Sequence, residues 1–188
     1  MLSEALARGH EIVAIARHVD ELAPRPHLVS KTGDASDRGA LAPLLDGHGA
    51  VISALRFAST DPRKLIGAVK MSGVKRFMVV GGAGGLEVAP GRKLLDTPDF
   101  PAAFRAEATA ADAFLGTLRG EPELEWGVLS PSANFAAGVR TGRFRSGRDQ
   151  LLTDPQGQSS ISMEDFAIAL VDELEHPEHV HQRFTVGY

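Results

Sequence analysis

Arg140, Arg143, Arg145 and Arg148 form a local basic cluster in a chain whose net charge is −4. Two readings are open for it: a patch that steers an anionic substrate or cofactor phosphates, or a solvated edge. His176, His179 and His181 follow an HxxHxH spacing, but no acid accompanies them at metal-ligand intervals, so the spacing is a weak metal hint and solvation the simpler reading. The run GGAGG (81–85) follows an apolar segment and invites comparison with a phosphate cradle. Counted from Gly82, G-x-G-x-x-G puts its third glycine at 87, which is glutamate, and Pro90 and Gly91 break any helix that should receive the phosphate charge. Ser162 followed by Asp165 reads as a helix start with a capping hydroxyl. The chain holds no cysteine, which removes thiol nucleophiles, thiolate zinc sites and disulfides and fits a reducing, cytoplasmic setting.

The elements that must position these residues follow from the hydrophobic pattern. Apolar runs at 11–17, 27–34, 49–55, 76–84 and 125–132 read as buried strands. Between them, Leu41, Leu44 and Leu45, then Leu65, Ile66 and Val69, then Phe104, Ala108, Ala111, Leu115 and Leu118 recur at three- and four-residue intervals, the mark of amphipathic helices. This alternation predicts a doubly wound α/β domain with a parallel sheet. The tail is read as a hairpin or turn over 151–162, a helix over 163–175 and a last strand over 184–188. With 188 residues, 43% hydrophobic and 23% charged, the chain fits one globular domain spanning 1–188, of which 126–188 forms a smaller substrate portion. Its negative charge argues against nucleic acid as a partner, and no apolar run approaches the roughly 18–20 residues that cross a bilayer. The remaining partner class is a small-molecule substrate.

The front of the chain reads unusually. Leu2 to Arg8 form a short helix capped by Gly9, and a strand follows at once. In a dinucleotide-binding βαβ unit such a helix is preceded by a strand and a glycine turn that meets the pyrophosphate. The expectation is that the sequence starts inside a longer protein, leaving a slot about 9–10 Å wide where a central strand would lie. The alternative is a sheet that closes by pairing the strands on either side of that slot.

ALARGHEIVAIAR, GDASD, GAVISAL, RFMVVGGAGGLEVAPG with LLDTPDFP, LSPSANFAAGVRTGRFR, and SISMEDFAIALVDELEHPEH with RFTVGY together make the chain resemble the atypical short-chain dehydrogenase/reductases, the NAD(P)H-binding, NmrA-like and epimerase-like proteins with a Rossmann core. The resemblance runs nearly end to end. It implies a Rossmann-like fold and a nicotinamide cofactor, where periodicity alone implied only α/β.

On that resemblance Arg17, at the end of a strand, stands where a base accommodates a 2′-phosphate, favouring NADP with NAD as the other option; an exposed turn residue is the competing reading. Asp34 would accept a hydrogen bond from the adenine amino group, with Ala35 contributing its backbone, or would simply cap the next helix. Ser53, Ala54 and Leu55 would lie along the cofactor at the carboxyl edge of the sheet. Gly81 and Gly82 would face the nicotinamide or the substrate, or serve as plain turn residues. Pro131 would border the nicotinamide ring, and Asn134 and Phe135 would belong to the substrate pocket, the former otherwise a loop amide. The tyrosine and lysine of a YxxxK pair, which protonate a carbonyl in ordinary members, correspond here to Phe104 and Ala108, and the only tyrosine is Tyr188. Arg105 and Glu107 read as solvated charges. No catalytic residue can be named. The function so implied is an oxidoreductase passing hydride to a flavin- or quinone-type acceptor; the alternatives are a non-catalytic NADP redox sensor and a chain that binds nothing.

Overall fold

A computed structural model describes residues 1–19 and 22–188. The chain runs through α1 (Leu2–Ala7), β1 (Ile12–Ala16), β2 (Leu28–Thr32), α2 (Arg38–Leu45), β3 (Ala50–Ser53), α3 (Pro62–Met71) and β4 (Arg76–Val80). A hairpin of β5 (Glu87–Ala89) and β6 (Arg92–Lys93), α4 (Ala102–Arg119) and β7 (Glu125–Ser130) follow. It ends with β8 (Asn134–Ala136), β9 (Arg145–Gly147), β10 (Ser160–Ser162), α5 (Met163–Glu175) and β11 (Gln182–Gly187). Short 3₁₀ turns at Phe57–Ser59, Ala83–Gly85 and Leu94–Asp96 complete it. Among the described residues no helix is long and apolar enough to cross a membrane.

The main sheet has the order β3-β4-β7-β11-β9, parallel except for β9. Side chains alternate across β4, so Phe77 and Val79 enter the core beneath α2, α3 and α4, while Met78 enters the core under α5 with Leu129, Phe166, Leu170 and Phe184. Burying a side chain of this size stabilises by roughly 1.5–3 kcal/mol, and helices on both faces are what a strand apolar on both sides requires. The fold is therefore a doubly wound α/β domain, as the pattern predicts, and Rossmann-like, as the resemblance implies.

β1 and β2 stand apart as a two-stranded parallel sheet. Among the described residues β1 is hydrogen-bonded only to β2, and β3 only to β4, so the sheet does not close by direct pairing across the slot. The expected burial of these two strands fails for the same reason: β1 is half-buried throughout and most of β2 is exposed. Of the hairpin or turn expected over 151–162, the turn is what forms. Asp154 and Gln158 close a tight turn, and β10 then pairs in parallel with β8.

Local chemistry accounts for the helix ends. Asp37 caps α2, Asp61 caps α3 with Pro62 behind it, and Ser162 caps α5 by accepting the Asp165 amide at 3.0 Å. Gly9, with φ of +86°, ends α1 in the left-handed conformation expected of a capping glycine.

Candidate functional site

The carboxyl ends of β3, β4 and β7 meet under the middle of α4. Gly81 continues β4, its amide donating to the Leu129 carbonyl at 2.8 Å, and a Cβ there would lie 2.8 Å from Ser130 Oγ and 2.9 Å from Val128 Cγ1. Glycine is what lets these two backbones close. One turn further, a Cβ on Gly84 would fall 2.6 Å from Ala108 Cβ, so the 3₁₀ turn after β4 seats directly against α4. On the other side the turn after β3 is pinned by Glu107, whose carboxylate accepts the amides of Phe57 at 2.6 Å and Ala58 at 3.0 Å. A cavity opens between these turns, walled by Phe57, Gly81, Gly82, Ala111, Ser130 and Arg183. Nothing lies within 4 Å of a Cβ placed on Gly82, so the surface above it is open.

Arg183 reaches this cavity from β11, where it donates to the Gly85 carbonyl at 2.8 Å and to Asp149. Neither Arg183 nor Ser130 is visible in the sequence as a site residue. The pairing of Arg183 with Asp149 joins positions far apart in the chain, and no local motif signals it.

At the outer tips of the β1–β2 sheet, Arg17 is exposed and forms no ion pair among the described residues. Asp34 accepts the Ser36 amide at 2.8 Å. Hydrogen bonds from the Ser36 backbone and hydroxyl hold its carboxyl below the ordinary range, and the nearby charges of Arg17 and Lys64 add to this. The helix-cap alternative falls to Asp37 instead, which accepts the Ala40 amide at 3.0 Å. Ala35 is half-buried against the core. Ser53 is buried, Ala54 and Leu55 are exposed, and Pro131 is buried at the end of β7. Asn134 is exposed beside a second, open groove that it shares with Ala136, Thr141, Ser160 and Tyr188. The Phe135 ring packs on Phe166 at 4.8 Å, on the α5 side of the fold. Asn134 and Phe135 thus stand apart from the residues that wall the cavity under α4.

Several expectations are corrected. Glu107 is not a solvated charge, since it holds the Phe57 turn; Arg105 is exposed, donates to the Leu95 carbonyl at 2.7 Å and lies over the Phe100 ring. The four arginines of the basic cluster are all exposed, with Arg140 paired to Glu4 and Arg145 donating to the Thr153 and Tyr188 carbonyls. The histidines are not all solvated: His179 meets Glu173, and His181 Nε2 meets the Leu124 carbonyl at 2.8 Å. No group of ligating side chains that could hold a metal occurs among the described residues. Tyr188 donates its hydroxyl to the buried Asp165 at 2.9 Å and has a structural part. Burial opposes ionisation of Asp165, but bonds from Thr141, Gly142 and Tyr188 outweigh it and hold its carboxyl below the ordinary range.

Residues 1–177 match the NAD(P)H-binding family model. The chain belongs to this family. It is 36% identical over 193 residues to the uncharacterized protein YwnB of Bacillus subtilis, covering 99% of this chain and 91% of that protein. Among solved structures it is similar to a candidate epimerase of Bacteroides thetaiotaomicron, with 41% identity, a TM-score of 0.94, and coverage of 100% of this chain and 89% of that one. It is also similar to a candidate NADH-flavin reductase of Streptococcus pneumoniae, with 34% identity, a TM-score of 0.83, and coverage of 99% and 91%. The surroundings of the cavity under α4 suit a nicotinamide cofactor in three respects. A flat approach over Gly82 is free, Ser130 offers a hydroxyl at the strand end, and the carboxyl edge of a parallel sheet is where such ligands bind.

Proposed function

We propose that the protein is an NADPH-dependent reductase of a small, planar conjugated acceptor of the flavin or quinone class. One observation carries the acceptor class. On the family resemblance, the acid of a carbonyl reductase falls at Phe104 and its lysine at Ala108, and the nearby cavity is walled by glycine, alanine, valine, leucine, phenylalanine and a single serine hydroxyl beside Arg183. A phenyl ring has no proton to give, so an acceptor that takes its proton from water suits this wall. When bound, the reduced nicotinamide supplies a hydride to the acceptor ring.

The residues of this chain then bind and orient. Arg17 pairs with the 2′-phosphate of the adenosine ribose, Asp34 and Ala35 meet the adenine, and Ser53, Ala54 and Leu55 line the path toward the second ring. Gly81, Gly82 and Pro131 would hold the nicotinamide, and α4 would help to exclude water from it. Residues 126–188 contribute the substrate side. The similarity to a candidate NADH-flavin reductase supports the reaction class. For a flavin the balance is one hydride to the ring and one proton from solvent, giving oxidised cofactor and dihydroflavin.

Steady-state oxidation of NADPH and NADH by the purified protein, against FMN, riboflavin and menadione, tests this. Turnover with preference for NADPH is expected. Cofactor binding without turnover on any acceptor would replace the reductase with a redox-sensing binding protein.

A further inference from the structure

We propose that Phe104 is the stacking wall for the acceptor ring, and so the residue that selects a planar conjugated substrate; this rests on the reductase reading above. Residues 104, 108, 111 and 115 are spaced four, three and four apart, which puts them on one stripe of α4. Three of the four are accounted for. Ala108 abuts the turn at Gly84, and Ala111 and Leu115 wall the cavity. Phe104 lies one turn closer to the helix N-terminus on the same stripe, and it is 63% exposed.

The direction of the stripe follows from what borders it. Glu107 holds the turn that follows β3, and Ala108 touches the turn that follows β4, so the stripe between them runs along the crevice between those two turns. Phe104 thereby continues the apolar wall of the cavity outward to the crevice mouth. The exposed Leu55 ends the segment after β3. Arg105, next in the chain, is turned away and spent on the Leu95 and Phe100 carbonyls, leaving no cation beside the ring from that position.

An exposed phenyl at the mouth of an apolar cleft offers a flat face and no hydrogen bond. A planar π-system stacks on it, whereas an aliphatic carbonyl or a sugar gains little. Ala108 contributes in a second way: with only a methyl at that position, the turn at Gly84 sits close to the helix, and the crevice stays narrow beside the ring.

The test uses binding in the absence of turnover. The protein is saturated with NADP+, and quenching of riboflavin and FMN fluorescence is titrated for the wild type, Phe104→Tyr, Phe104→Leu and Phe104→Ala. Loss of aromatic stacking is expected to weaken riboflavin binding by roughly tenfold in the leucine and alanine variants. Phe104→Tyr retains it, and the affinity for NADP+ is unchanged in all three. Because the side chain is exposed, the variants are expected to melt with the wild type, which a thermal scan reads directly. Equal riboflavin affinity in wild type and Phe104→Ala would overturn the assignment. So would binding of FMN but not riboflavin, which would put the recognition on the phosphate, and so would failure of the wild type to bind either. Phe104-dependent riboflavin binding in a protein that never oxidises NADPH would uphold the stacking wall and remove the reductase reading, so the two fail separately.

Discussion

The Glu107 carboxylate accepts the Phe57 amide at 2.6 Å, tying helix α4 to the turn that leaves β3. With the Ala58 amide on its other oxygen, it satisfies two donors at the start of a 3₁₀ turn that no side chain of the turn itself caps. Phe57 in turn meets Phe114 edge-to-face at 5.3 Å and walls the cavity. Glu107→Ala is expected to cost about 1.5–3 kcal/mol, the range for hydrogen bonds to a charged acceptor, and to raise the KM of the acceptor substrate by letting this turn drift. Urea unfolding reads the first effect and steady-state kinetics the second. Glu107→Gln, which keeps one acceptor oxygen, should fall between.

Under the proposed reductase reading, the choice between the two nicotinamide cofactors is assigned to Arg17. Its guanidinium is exposed at the tip of β1, and its charge is felt by Asp34 on the neighbouring loop. Arg17→Ala is expected to weaken NADPH binding about tenfold, equivalent to about 1.4 kcal/mol, and to leave NADH within about twofold. Calorimetric titration with both cofactors checks it. Equal losses for the two would remove the 2′-phosphate contact.

The parallel core was legible because its chemistry is local and periodic. Phe77, Met78 and Val79 announce a strand buried on both faces, and Ser162 with Asp165 announces a helix start. What stayed hidden depends on long-range pairing. Glu107 looked like a surface charge because its partners, the Phe57 and Ala58 amides, are 50 and 49 positions away. Arg183 and Asp149, 34 positions apart, have no common motif. β1 carries the Val and Ile of a buried strand, yet burial depends on a neighbour on each side, and among the described residues it is paired on only one.

Glu4 links α1 to the loop after β8. Its carboxylate accepts from Arg140 at 3.0 and 2.8 Å and from Arg8 at 3.0 Å, while Arg8 also holds Asp172 and Glu175 of α5. The Arg140 hydrogen bond, partly offset by burial and reinforced by Arg8, pulls its pKa down to about 2. A carboxylate whose folded value lies below its unfolded one stabilises fully above the unfolded value and loses that contribution as protons bind. The network is thus expected to hold at neutral pH and to weaken as pH falls from about 4.5 toward 2, the unfolded and folded values. Because Arg140 is exposed, the loss is on the order of 1 kcal/mol. Glu4→Gln should flatten the dependence of stability on pH in that window, measured by thermal melts across it.

Arg76 and Glu173 form a buried ion pair on the side of the sheet away from the site, at 2.7 Å, and His179 Nδ1 meets the other Glu173 oxygen at 2.7 Å while its ring stacks on Phe184. Burial opposes the charge on Glu173, but hydrogen bonds from the His179 side chain and amide, the Glu178 amide and Arg76 outweigh it and keep the carboxyl below its ordinary range. Arg76 also donates to the Glu125 and Glu173 carbonyls, tying the starts of β4 and β7 to the end of α5. Glu173→Gln leaves that guanidinium buried without a counter-charge and is expected to destabilise by about 3–5 kcal/mol. Arg76→Met with Glu173→Gln removes both charges, so the double variant should recover part of that loss, which a double-mutant cycle in urea resolves. Acid should act like the single substitution: the pair's contribution is present above the unfolded carboxyl value and fades as pH drops through the depressed folded one. Strictly additive single-variant losses would mean that the two groups are not coupled.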